Sequence, residues 1–281
     1  MTGSPDAHQT ARASSADLDG RVALVTGAAG DIGRAVAVRS AQAGCRVVLA
    51  DLAGTSDGLD ATAAACRDAG GGPEPITTTF DVTDEAGVEA AIADLADQAV
   101  VADLVFNNAG YQGAFANTVD YGLDDFRRVQ EINVVGAFIV LRACARRLVE
   151  RQLPGSIVNT ASMAFGGAPN MVAYSASKAA VIGMTKAAAK DLAPHRVRVN
   201  SLSPAFIGPG VMWDRQVELQ ASAPSQYYAN DPALVAEQMI GQVPLRRYGS
   251  LDEVADAALF LLSDASSYIT AFNLEVAGGA G

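Results

Sequence analysis

Tyr174 and Lys178 stand four residues apart in the segment SIVNTASMAFGGAPNMVAYSASKAA. On a helix that spacing stacks two side chains one turn apart on the same face. A tyrosine hydroxyl, with an ordinary pKa of about 10, is a poor base at neutral pH. A neighbouring ammonium favours its phenolate, so the pair suits proton exchange with a substrate oxygen. Ser162, at the end of the strand before this helix, can hydrogen-bond that oxygen and hold it against the phenol. Thr160 lies two residues earlier on the same strand face, and Ser162 is the better choice of the two.

A second group of residues suits a phosphate-bearing cofactor. In VALVTGAAGDIGRAVA, residues 22–37, an apolar strand runs into a glycine turn and then a helix. Such a turn aims backbone N–H groups and the positive end of a helix at a pyrophosphate. Asp51 ends the next strand, at about the 20-residue remove where a carboxylate can bond both ribose hydroxyls. Helix capping is the alternative for Asp51, because DLAGTSD is turn-like. Neither the turn nor the residues just after that strand offer an Arg or Lys to meet a 2′-phosphate, which favours NAD over NADP. An oxidised nicotinamide would add its positive charge to that of Lys178 in drawing out the phenolate.

Short β-branched runs alternate with Ala-rich segments along the chain, and they supply the elements that must carry these groups. The pattern predicts strands at 21–26, 46–50, 76–80, 102–106, 155–160, 197–202 and 271–276. It predicts helices at 32–43, 55–69, 84–99, 124–151, 173–192, 212–221, 232–240 and 251–262. Strands such as VALV, RVVLA, LVF and SIVN are apolar throughout, as in a parallel sheet buried on both faces. Right-handed crossovers then give a doubly wound, Rossmann-type α/β fold. The expectation is a disordered polar leader over 1–19 and a single domain over 20–281. A lid inserted after the sixth strand, about 203–245, interrupts the rhythm with Pro, Gly, Trp and Tyr.

Composition excludes several other roles. The net charge of −11 argues against nucleic acid or an anionic membrane as partner. No apolar run approaches the roughly 20 residues of a membrane helix. Cys45, Cys66 and Cys144 show no metal or redox spacing and suit buried thiols in a reducing cytoplasm. His8 and His195 are too few and too far apart for a metal site, and no metal is expected.

The turn, the YxxxK pair and the upstream Ser together resemble the short-chain dehydrogenase/reductase family, whose turn reads TGxxxGxG. The likeness covers nearly all of residues 20–279. Thr26, Gly27 and Gly33 fall on the motif, and Asp31 replaces its middle glycine with Gly30 beside it. Asp tolerates a left-handed backbone better than most residues and can cap the following helix, so the turn can keep its fold. By resemblance Tyr174 is the acid/base, Lys178 lowers its pKa and holds the nicotinamide ribose, and Ser162 polarises the carbonyl. Asn133, in EINVVGAF, matches the asparagine that holds a water in the proton relay.

The resemblance also implies a cofactor groove. Gly27, Asp31, Ile32 and Gly33 belong to its turn. Asp81 and Val82 of DVTD flank the adenine, and Asn108, Ala109 and Gly110 of FNNAG line the groove, with Asn107 bracing neighbouring strands. Pro204 and Ile207 of NSLSPAFIGPG border the nicotinamide, although Ala205 replaces the usual Gly and Pro209 a frequent Thr.

The segments NNAGYQGAF, SMAFGGAPNM and the lid set substrate choice in this family. Here they resemble those of bacterial NAD-dependent xylitol dehydrogenases, which interconvert a polyol and a ketose. Gln112, Asn170 and Trp213 can supply polar contacts and a stacking face for a sugar, or can merely support loops. Met212, Trp213, Tyr227 and Tyr228 equally suit an apolar pocket for a cyclic or terpenoid alcohol. A weakly active NAD-binding relative is the remaining alternative, while acyl-carrier thioesters are disfavoured by the acidic surface. The resemblance implies a homotetramer acting on a small-molecule alcohol or ketone in the cytoplasm.

Overall fold

The computed structural model describes residues 18–281. Seven strands lie parallel: β1 Val22–Thr26, β2 Arg46–Asp51, β3 Ile76–Thr79, β4 Leu104–Asn107, β5 Gly155–Thr160, β6 Val197–Pro204 and β7 Asn273–Val276. Their order in the sheet is β3-β2-β1-β4-β5-β6-β7. Among the described residues nine α-helices accompany it: α1 Asp31–Gln42, α2 Ser56–Ala69, α3 Glu85–Asp97, α4 Leu123–Gln130, α5 Ala137–Glu150, α6 Val172–Leu192, α7 Val211–Ser222, α8 Pro232–Gly241 and α9 Leu251–Leu262.

The unbroken apolar strands have a direct physical cause. Val25, Leu49, Phe106 and Val158 face one core with α1, α2 and α9. Leu24, Val48, Val105 and Ile157 face a second core with α3, α5 and α6. A strand covered on both sides has no solvent face to make polar, so alternation disappears. The order reverses between β1 and β4, which opens a crevice beyond the carboxyl ends of those strands.

Local chemistry starts the helices where the sequence signals them. Ser250 caps α9 in a box with Glu253, each side chain bonding the other's backbone N–H. Asp231 caps α8 ahead of Pro232, accepting from the N–H groups of Ala233 and Leu234 at 2.9 and 3.1 Å.

Four expectations shift. The predicted helix 124–151 is interrupted by a π-helical turn, Glu131–Gly136, that separates α4 from α5. Strand β6 runs two residues further than expected, so the segment expected to form a lid begins at Ala205. The last strand starts late because Ala271 takes a left-handed φ of 62°. The domain begins before position 20: Leu18 is buried in the first core and donates its N–H to the Ala43 carbonyl at 2.9 Å. The rest of the expected leader, with His8, lies outside the described residues.

The expected lid segment carries α7 and α8 around a small core of its own, built from Trp213, Val217, Ala221, Val235 and Met239. An isolated bridge between Ile207 and Gly249 closes its base.

Candidate active site

The glycine turn fits tightly against its own strand. Gly27 has a φ of 66°, and a Cβ there would lie 2.9 Å from the Asn108 amide. A Cβ on Gly33 would lie 2.1 Å from the Gly27 carbonyl oxygen, so no other residue fits. Thr26 locks the turn to the end of β4: its hydroxyl accepts the N–H groups of Asn108 and Ala109 at 2.9 and 3.1 Å. Asp51 braces the turn from β2, accepting from Ala29 N–H at 3.0 Å and from Leu52 N–H at 2.8 Å. It does not cap α2, whose N-cap is Thr55.

Asp31 behaves differently from its expectation. Its backbone is not left-handed, and it makes no cap; Gly30 is the N-cap of α1, in an extended conformation, with no side-chain bond. Asp31 is instead the first helical residue, where its charge meets the positive end of α1. Its carboxylate reaches toward the lid, and a Cβ on Gly210 would lie 3.1 Å from Oδ2. Asp31, Ile32, Ile207, Pro209 and Gly210 line one small crevice between turn and lid.

Val82 is buried against Gly136, and Asp81 turns its carboxylate onto the Thr83 N–H and hydroxyl at 2.9 and 2.7 Å. Asn107 donates to the Ala137 carbonyl and to Asn159 at 2.7 and 3.0 Å, which braces β4 against β5 and α5. Asn108 sits between Thr26 and the Thr160 hydroxyl. Ala109 and Gly110 continue the backbone to the foot of Lys178: a Cβ on Gly110 would lie 3.2 Å from Asn133 Oδ1 and 3.7 Å from Lys178 Nζ. Pro204 closes β6, and Ile207 packs under Gly249.

Tyr174 and Lys178 occupy one face of α6, with Nζ 5.4 Å from the centre of the phenol ring. Lys178 is buried and donates to the Thr160 carbonyl at 2.8 Å. Thr160 is thereby committed through both its carbonyl and its hydroxyl. Ser162, the cap of a short 3-10 turn after β5, hydrogen-bonds Tyr174 and accepts from Ala164 N–H at 3.2 Å.

Burial acts on both members of the pair. It pushes the Tyr174 phenol up to about 12, with the Ser162 hydrogen bond working in the opposite direction. It pulls Lys178 down to about 8. Burial therefore leaves the phenol above its ordinary value among the chain's own groups.

Asn133 lies on the π-helical turn and is buried. Its Oδ1 accepts the Tyr111 N–H at 2.7 Å, and its amide donates to the Tyr111 carbonyl at 2.9 Å and to Ser177 at 3.0 Å. Ser177 in turn donates to the Tyr174 carbonyl at 2.7 Å. Both amide hydrogens are committed, which leaves the second lone pair of Oδ1 as the side chain's remaining site for a water. Ser177 carries no motif signal of its own, and this link is invisible in the sequence.

The loops expected to meet substrate converge here. Ala116 N–H donates to the Asn170 carbonyl at 2.9 Å, and the Asn117 amide to the Pro224 carbonyl of the lid at 3.2 Å. Asn170 takes a φ of 64°, and its Nδ2 is buried with no hydrogen-bond partner among the described residues. Trp213 is only 7 % exposed and packs edge-on against Phe206, so it serves the lid core and offers no open stacking face. Met212 and Tyr227 are exposed. The three cysteines are free and buried, with burial raising Cys45 and Cys144 to about 12 and Cys66 to about 11. No cluster of metal-ligating side chains and no helix long and apolar enough to cross a membrane occur among the described residues.

Comparison with known proteins agrees with this geometry. A family model described as enoyl-(acyl carrier protein) reductase matches residues 27–281. A levodione reductase from Leifsonia aquatica is 35% identical over 92% of this chain and 93% of its own. A sorbitol dehydrogenase from Cereibacter sphaeroides is 33% identical over 93% of this chain and 98% of its own. The crystal structure of an NAD+-bound xylitol dehydrogenase superimposes with a TM-score of 0.88 at 48% identity, covering 93% of this chain and 99% of that one.

Proposed function

The chain belongs to the short-chain dehydrogenase/reductase family, oxidoreductases that act on alcohols, and from that premise we propose an NAD-dependent polyol dehydrogenase. It would move a hydride between a secondary alcohol such as xylitol and its ketone. The observation that carries the reading is the meeting of Tyr174, Lys178, Ser162 and Asn133 beside the glycine cradle.

The residues present fit a dinucleotide. The cradle at Gly27 and Gly33 has space only where side chains are missing, and a Cβ on Gly110 would intrude beside Lys178. The Asp51 carboxylate keeps free lone pairs for ribose hydroxyls after its two backbone bonds. Asp81 and Val82 would flank the adenine, and Pro204 and Ile207 the nicotinamide. Bound NAD supplies the hydride acceptor.

In oxidation, the Tyr174 oxygen takes the proton of the alcohol; in reduction it returns that proton to the carbonyl oxygen. Ser162, beside the phenol, turns its single hydroxyl hydrogen to the same substrate oxygen and fixes its distance. Lys178, held by the Thr160 carbonyl, presents its ammonium to the phenolate. Asn133 holds the backbone of Tyr111 and, through Ser177, that of Tyr174. The unpaired Nδ2 of Asn170 supports a hydroxylated substrate, because a polyol oxygen would satisfy a donor that is otherwise costly to bury. Met212 and Tyr227 support a cyclic alcohol as the second reading.

The three reduced thiols support a cytoplasmic setting. Exposed Val135, Phe138, Phe260 and Phe272 support a homotetramer. The deciding experiment follows NADH absorbance with NAD and a panel of polyols and cyclic secondary alcohols. NAD reduction with polyols is expected; no reduction with any alcohol, or a clear preference for NADP, overturns the proposal.

A further inference from the structure

Asp125, on the inner side of α4, gathers three donors from the loop that follows β4. Its Oδ2 accepts the Tyr121 hydroxyl at 2.6 Å and the Ala114 N–H at 2.8 Å, and its Oδ1 accepts the Tyr111 hydroxyl at 3.2 Å. The Arg128 guanidinium lies 4.8 Å from the centre of the Tyr111 ring. Gly113 fits inside this cluster because it lacks a side chain: its φ is 76°, and a Cβ would lie 2.7 Å from the Tyr121 hydroxyl and 2.9 Å from Asp125 Oδ2.

Tyr111 is therefore held at both ends. Its ring is fixed by Asp125 and Arg128, and its backbone is clamped on both sides by the Asn133 amide. Beyond it, the same loop bonds Asn170 and the lid at Pro224. A carboxylate is the group suited to the centre of such a cluster, because it accepts at two oxygens and donates nothing. Burial pulls its pKa up, but the Ala114 N–H and the two tyrosine hydroxyls outweigh it and hold it below the usual value, so it stays ionised at neutral pH.

We propose that Asp125 is a positioning residue for the substrate alcohol: by pinning Tyr111, Ala114 and Tyr121 it fixes loop 111–122 over the reacting oxygen. This rests on the dehydrogenase reading above. Asp125 touches neither Tyr174 nor the cofactor turn, so its effect falls on alcohol binding and leaves NAD binding alone.

The test compares the full-length protein with D125A, D125N and the milder Y121F, by amide hydrogen exchange over residues 111–116 and by steady-state kinetics. In D125A that segment exchanges about tenfold faster and the alcohol KM rises about tenfold, while the NAD KM stays within about twofold. Asn keeps one acceptor, and its amide can donate to a tyrosine oxygen, so D125N recovers to within about threefold of wild type. Y121F falls between wild type and D125A in exchange rate. Wild-type exchange in D125A and Y121F overturns the proposal, as does an equal rise in both KM values. If the wild-type protein oxidises no alcohol, the dehydrogenase reading fails by itself, and the exchange comparison alone still decides whether Asp125 pins the loop.

Discussion

The Lys178 ammonium hangs from the Thr160 carbonyl at 2.8 Å, and the same nitrogen lies 5.4 Å from the centre of the Tyr174 ring. The two groups share one site, so they titrate as a pair. Burial leaves the phenol at about 12 and the ammonium at about 8, and the first proton leaves the pair near the lower value. One form of the singly deprotonated pair is phenolate beside ammonium, the form that accepts the alcohol proton. Alcohol oxidation should therefore gain kcat/KM with a slope near one through neutrality and level off at about pH 8. In Lys178→Met the phenol titrates alone, its rise moves toward pH 12, and activity at neutrality drops. A wild-type profile flat between about pH 6 and 9 would contradict this coupling.

Tyr174→Phe removes the proposed proton carrier and little else. Turnover should fall by about 10²–10⁴-fold. The lost Ser162 hydrogen bond is worth about 1 kcal/mol, so thermal stability and NAD affinity stay close to wild type. Calorimetric titration with NAD beside a turnover assay separates the two effects, and retained turnover removes Tyr174 from the mechanism.

Two glycines three residues apart should respond to very different degrees. Gly33→Ala drives a methyl group to within 2.1 Å of the Gly27 carbonyl, so α1 must lift from β1. Overpacking of this kind costs about 1–3 kcal/mol or more, and NAD binding should be lost with it. Gly30→Ala meets the same carbonyl at an ordinary 3.5 Å and forfeits about 0.5–1 kcal/mol of capping preference. Denaturant midpoints of the two variants check the contrast; equal losses would show that the close approach does not set the turn.

Asp51→Ala frees the Ala29 and Leu52 N–H groups and deletes the carboxylate that would repel a 2′-phosphate. The KM for NAD should rise about tenfold, the scale of a charged hydrogen bond, and the preference over NADP should shrink. Parallel kinetics with both cofactors give the ratio. An unchanged ratio would leave Asp51 as a brace of the turn alone.

Much of this was readable in the chain because a sheet covered on both faces writes continuous apolar strands, as Val22–Val25 and Val47–Ala50 illustrate. The Tyr174–Lys178 spacing likewise fixes a shared helical face without tertiary information. The π-helical turn is different: one extra residue per turn leaves the apolar pattern of 124–151 looking like a single helix. The partners of Asp125 come from residues 111, 114 and 121, whose meeting depends on loop path and not on periodicity. Trp213 looked available because composition cannot distinguish a side chain facing substrate from one filling the lid. The opposed shifts of Tyr174 and Lys178 were hidden for the same reason, since desolvation is a property of surroundings that only the folded chain has.

That the lid is built around a separate apolar nucleus has a bearing on how the molecule diversifies. Trp213, Val217, Val235 and Met239 pack among themselves, apart from the two cores that seat the sheet. Such a segment can melt, close or be replaced as a unit while the scaffold beneath it stays cooperative. Grafting residues 205–248 from a relative with another substrate is then a change of fitting, one that asks new surface complementarity of the loops and nothing of the foundation.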